Sequence, residues 1–160
     1  SSLCLRKEAT RRGEETDKCK IDETKAVGSS AAPLQVTSLS QRPTGKNEVS
    51  FTITIENAGK GEVYPPMFIQ TNAQCLQDDK TQDKFQISLS FPDNRPSISC
   101  PALKNTNKGE LELIQDKYVL TCKIDTSQEQ DTTFTRSPNI QLDYTYKELV
   151  SAKVTVKNAA

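Results

Sequence analysis

The sequence predicts an all-β chain folded as a sandwich, and three observations carry that prediction. Val49, Phe51, Ile53 and Ile55 alternate with Ser50, Thr52, Thr54 and Glu56. The same alternation returns in Phe85, Ile87, Leu89 and Phe91. β-Branched and aromatic side chains at every second position set one face of a strand in a core and the other in water. The third observation is punctuation: clusters of Pro, Gly, Asn and Asp recur about every 8 to 12 residues, the spacing of short strands.

Residues 1–32 read as a charged N-terminal arm and linker. Leu3 to Lys25 is dense in Arg, Lys, Glu and Asp and shows no strand alternation. Cys4 and Cys19 bracket LRKEATRRGEETDK, and a disulfide between them would remove about 3 kcal/mol of denatured-state entropy. Such an arm either docks on another chain or host surface, or is a stapled, solvated extension. Val27 to Ala32 is small and flexible, a linker by composition.

Residues 33–157 read as the sandwich. Leu34 to Leu39 makes a first or edge strand with Leu34, Val36 and Leu39 inward, and QRPTGK turns the chain into the Val49–Ile55 core strand. Asn57 to Gly61 is a turn rich in residues that reach positive φ. Pro65 and Pro66 cannot donate to a ladder, so Glu62 to Gln70 lies at an edge or crosses between sheets. Thr71 to Asp83 reads as an exposed loop, Lys84 to Phe91 as the second core strand, and Ser97 to Pro101 as a short strand or bridge. Glu110–Ile114 and Tyr118–Ile124, around Gln115-Asp116-Lys117, predict a hairpin. Asp125 to Ser137 reads as a long surface loop. Ile140, Leu142, Tyr144 and Tyr146 share one face of a further strand; Val150, Ala152, Val154 and Val156 share a face of the last. The count implies an immunoglobulin-like β-sandwich of about 7–8 strands with a disulfide-stapled N-terminal extension.

Composition narrows the function classes. Lys+Arg and Asp+Glu number 21 each, so the net charge draws neither nucleic acid nor an anionic membrane. No apolar run approaches the length of a membrane span, and no signal-peptide core is present. The chain opens on Ser1 without Met, as a processed precursor or a trimmed chain would. It has no His, which removes the commonest general base and the commonest zinc ligand together.

The five cysteines are widely spaced, with no Cys-x-x-Cys pair, which favours a disulfide framework in an oxidising compartment over a zinc site. Cys4–Cys19 and Cys100–Cys122 are the favoured pairs, leaving Cys75 unpaired or intermolecular; Cys75–Cys100 is the competing pairing. Glu110 and Glu112 share a strand face, as paired acids of a glycosidase would, yet no cleft or flanking aromatic accompanies them. Asp78, Asp79, Asp83, Asp125 and Asp131 are acidic loop positions for calcium but lack the spacing and Gly of an EF-hand. No Ser or Cys has a His to activate it, and no Gly-rich loop opens a helix. We therefore expect no enzyme, no catalytic residue, no metal and no cofactor.

The expected partners are proteins, copies of the chain itself among them. Nucleic acid, a membrane span and a small-molecule ligand are not expected. The terminal run Ser151 to Lys157 places Lys153, Val154 and Val156 as candidate subunit contacts. Its lysines either guard an edge against aggregation or flank a strand donated to a neighbour.

VSFTITIENAGKGEVY resembles the core strand and turn of CARDB-like and related immunoglobulin-like modules of archaeal envelope proteins. ISCPALKNTNKGELELIQDKYVLTCKID and IQLDYTYKELVSAKVTV resemble the C-terminal half of small membrane-anchored secreted β-proteins of ultra-small archaea. The similarity covers about residues 33 to 157 and leaves the arm outside. It implies an extracellular, cell-surface location and structural or adhesive work, as in the repeating subunit of a filament or layer. A secreted carbohydrate- or ion-binding β-sandwich module is the other function the residues allow. One departure is that no Asn lies in an Asn-x-Ser/Thr acceptor, so heavy glycan cover is not expected.

Overall fold

The computed structural model describes residues 3–6, 27, 31–45, 47–66, 81–129 and 133–155. The first six strands are β1 (Leu3–Arg6), β2 (Leu34–Pro43), β3 (Glu48–Asn57), β4 (Glu62–Tyr64), β5 (Lys84–Ser90) and β6 (Ser97–Ser99). The remainder are β7 (Lys108–Glu112), β8 (Lys117–Asp125), β9 (Thr133–Arg136), β10 (Asn139–Asp143) and β11 (Thr145–Lys147). Among the described residues there is no α-helix, only a single 3₁₀ turn at Pro101–Leu103.

All pairing among the described residues is antiparallel. One sheet has the order β2-β3-β8-β6. Its centre is the predicted core strand: Val49 is 2% exposed, and Phe51, Ile53 and Ile55 are 0%. Each such side chain contributes roughly 1.5–3 kcal/mol relative to an exposed one. The neighbours Leu120, Cys122 and Ile124 on β8 continue the buried row. A second sheet has the order β10-β5-β7, with Phe85, Ile87, Leu89 and, just past β5, Phe91 buried as predicted. The inner rows of the two sheets form one core, so the molecule is a β-sandwich.

β2 is longer than expected and runs through Pro43, so the turn begins at Thr44. Its inward residues change parity, from Leu34 and Val36 to Leu39 and Gln41. A break in register between Val36 and Ser38 explains this: Thr37 is an extra residue, and the bulge turns every later side chain to the other face.

The predicted hairpin is corrected. β7 does not pair with β8 but with β5, from Lys84↔Glu112 to Ser88↔Lys108. Gln115 and Asp116, both at positive φ, form a tight turn closed only by the Ile114–Lys117 bridge. That turn carries the chain from one sheet to the other. β7 and β8 alternate with similar residues, and nothing local says which neighbour each takes.

Two further expectations change. Leu3–Arg6, expected within a strandless arm, is a strand paired with Thr133–Arg136, which lies in the expected surface loop. Leu3 is 0% exposed and joins the core, and Val27 packs against it from the predicted linker. Each of these strands is only four residues long, too short for a pattern to stand out among charges. In the other direction, the predicted last strand is absent through Thr155: Leu149 to Thr155 are exposed and in no strand. A strand needs a neighbour for its ladder, and this segment has none among the described residues.

β4 and β11 pair with each other, from Thr145↔Tyr64 to Lys147↔Glu62. β4 thus takes over from β5 as partner of the last strands, one residue after β10 ends. The Asp83 amide donates to the Val63 carbonyl at 2.7 Å and joins β4 to the start of β5.

Candidate functional site

The last strands are positioned by two tyrosines. Tyr144 and Tyr146 lie half-buried against the core, on the predicted face with Ile140 and Leu142. The Leu34 amide donates to the Tyr144 hydroxyl at 3.3 Å, which ties the end of β10 to the start of β2. The Gly61 amide donates to the Tyr146 hydroxyl at 2.6 Å. The Asn57–Gly61 turn was expected to use its glycines for positive φ. Neither Gly59 nor Gly61 has one. A Cβ at Gly59 would collide with the Tyr146 phenol, and one at Gly61 with the Lys147 carbonyl and the Tyr146 ring. The glycines are there for close approach, a need set by residues about 85 positions away.

Asn57 completes the turn. Its side-chain oxygen accepts from the Gly59 amide at 3.1 Å, and its amide nitrogen donates to the Gly61 carbonyl at 2.9 Å. Beside it, Tyr64 donates its hydroxyl to the Glu62 carboxylate at 2.7 Å, and Lys147 reaches the same carboxylate at 3.6 Å. The tyrosine hydroxyl first, then Lys147, hold the Glu62 pKa below the usual carboxylate value.

Beyond Lys147 the chain leaves the sandwich. Leu149, Val150 and Val154 are 91%, 87% and 81% exposed. Of the predicted subunit contacts, Lys153 and Val154 are exposed in this segment, and Val156 lies outside the described residues. Three large apolar side chains within six residues are a concentrated exposure in so polar a chain.

Cys100 and Cys122 form the predicted disulfide, 22 residues apart. β6 and β8 pair Ser99 with Lys123, so the bridge joins the next opposed positions of neighbouring strands in one sheet. Both cysteines are buried. Cys4 sits in β1, while Cys19 and Cys75 lie outside the described residues, and with them the Cys4–Cys19 pairing. The Cys100–Cys122 bond excludes Cys75–Cys100.

The acidic residues sort differently from their sequence grouping. Asp125 caps its own turn, its carboxylate accepting from the Ser127 amide at 2.9 Å, and this bond holds its pKa down. Asp83 instead faces Asp116, Glu112 and Glu62, from three other segments. Partial burial first, then those like charges, push its carboxyl above the usual range. No sequence signal joins the four. Asp78, Asp79 and Asp131 lie outside the described residues. Among the described residues no three side chains converge as metal ligands. Glu110 and Glu112 are exposed on β7, with Lys84 reaching Glu112 at 4.0 Å.

The outer face of the four-stranded sheet pairs with itself. Ser38 donates to Thr54 at 2.9 Å, the Thr52 and Thr121 hydroxyls meet at 3.0 Å, and Lys117 and Lys123 reach Glu56 and Glu48 at 2.9 and 3.1 Å. Thr52, Ser50 and Thr44 also line a surface hollow with Arg42. No helix of the described residues is long and apolar enough to cross a membrane. No family model, curated protein or solved structure matches the chain.

Proposed function

We propose that the chain is a non-catalytic, extracytoplasmic structural or adhesion protein, the repeating subunit of a cell-surface filament or layer joined through its terminal segments. The observation that carries this reading is the exposed apolar segment after β11, attached to a sandwich with a buried core. The buried Cys100–Cys122 bond supports the compartment, since such bonds persist where the surroundings are oxidising.

The immunoglobulin-like kinship, of the kind met in archaeal envelope proteins, belongs to the same proposal. The sheet order β2-β3-β8-β6 supports it, because strands A, B, E and D of that fold stand in this order. β5 and β10 then take the places of C and F on the opposite sheet. Two features depart from the pattern. The disulfide lies within one sheet rather than between two, and β7 flanks the C-equivalent strand although it follows the D-equivalent in the chain.

Electron microscopy of the native material tests the reading directly. Filaments or ordered layers that resist SDS are expected. A chain that is strictly monomeric at high concentration would refute the assembly role.

A further inference from the structure

The second sheet ends on β10, and among the described residues no strand pairs along its outer side. Its inward residues show the gap. Ile140 and Leu142 are only half-buried, whereas Ile87 and Leu89 on the adjacent β5 are 2% and 0% exposed. Being an edge does not explain this, because β2 is also an edge and its Leu34 and Leu39 are each 2% exposed. Among the described residues, one strand's width of apolar cover is missing beside β10.

The segment from Leu149 to Thr155 has what would fill it. Val150, Ala152 and Val154 form one row, Ser151, Lys153 and Thr155 the other, which suits a strand with one face inward. The same copy is poorly placed to supply it. Folding straight back over β11 needs a hairpin turn within Lys147 to Ser151, which contains no Gly, Asn, Asp or Pro. A two-residue loop would set Val150 opposite Lys147 and Val154 opposite Asp143. Opposed residues share a face, so both valines would join the outward row. A three-residue loop restores the register but sets Val150, a β-branched residue, at the left-handed position.

We propose that this segment of one copy adds as a strand along the outer edge of β10 in a second copy, with Val150, Ala152 and Val154 beside Ile140 and Leu142. The inference rests on the assembly role and gives it a mechanism: main-chain bonds supply the affinity and the alternate valines set the register. Donation from each copy to the next builds an open chain, and reciprocal donation closes a dimer.

Sedimentation velocity over a rising concentration series, on the full chain and on Ala152→Pro, tests donation. Ala152 is exposed and in no strand, so proline there leaves the sandwich intact, which circular dichroism checks. The full chain should associate and Ala152→Pro should lose association. A labelled synthetic peptide spanning residues 148–157 should bind the Ala152→Pro chain, and its own proline version should not. Hydrogen exchange should then slow across Asn139 to Asp143. Assembly that persists in Ala152→Pro, or peptide protection confined to another edge, overturns strand donation and leaves the assembly role standing. A full chain that never associates overturns both. A monomeric chain that loses thermal stability with Ala152→Pro assigns the segment to its own sheet and likewise ends the proposal.

Discussion

The hydroxyl of Tyr146 accepts the Gly61 amide at 2.6 Å, locking the last strand over the turn that follows the core strand. Gly61→Ala drives a methyl into the Lys147 carbonyl, a backbone atom that moves only with β11. We expect a loss of about 1–3 kcal/mol, read as a lower denaturant midpoint. Tyr146→Phe keeps the ring and strands the amide, for a loss of about 1 kcal/mol. If Gly61→Ala unfolds at the wild-type midpoint, close approach is not the reason for the glycine.

Phe51 is 0% exposed at the centre of the β2-β3-β8-β6 sheet, whereas Val119 is 54% exposed on the next strand. Phe51→Ala should cost about 3–5 kcal/mol through lost transfer energy and the cavity left behind. Val119→Ala should change stability by about 0.5 kcal/mol or less. Chemical denaturation of the two variants compares them; similar losses would mean the faces of this sheet are misassigned.

The Cys100–Cys122 bond closes a loop of 22 residues in the unfolded chain. Its removal as the double variant Cys100→Ala/Cys122→Ala should lower stability by about 3 kcal/mol. Thermal melting measures this, with non-reducing peptide mapping to verify the wild-type bond.

Two carboxylates should respond to pH with opposite signs. Glu48 accepts from the Thr44 hydroxyl at 2.9 Å and pairs with Lys123, and these contacts, the hydroxyl first, hold its pKa down. Its stabilising contribution is full above the unfolded value and is lost as pH falls through the lowered folded one. Glu48→Gln should therefore be less stable than the wild type at pH 7, with the difference closing in acid. Asp83 has a raised pKa, so its contribution is full below the unfolded value and is lost as pH rises through the folded one. Asp83→Asn should be more stable than the wild type at neutral pH, and that advantage should vanish below about pH 4. Asn suits the site because Asp83 sits at φ 64°. Melting temperatures across pH would decide it, and a less stable Asp83→Asn at pH 7 would contradict the like-charge reading.

Sequence alone determined which side of β3 and of β5 is buried, because strand alternation is local and each run is long enough to read. Strand positions 22 residues apart likewise favoured Cys100–Cys122, and the bond itself closed the competing Cys75–Cys100 pairing. Tertiary structure decided the neighbours. β7 leaves β8 for β5, and Leu3–Arg6 finds Thr133–Arg136 across most of the chain, because pairing is a non-local choice among edges of similar pattern. It decided why Gly59 and Gly61 are glycines, since the atoms they must clear belong to Tyr146 and Lys147. And it decided the state of the terminal run. Val150, Ala152 and Val154 alternate as a strand should, but a strand is completed by hydrogen bonds to a neighbour, and alternation cannot say whether one is there.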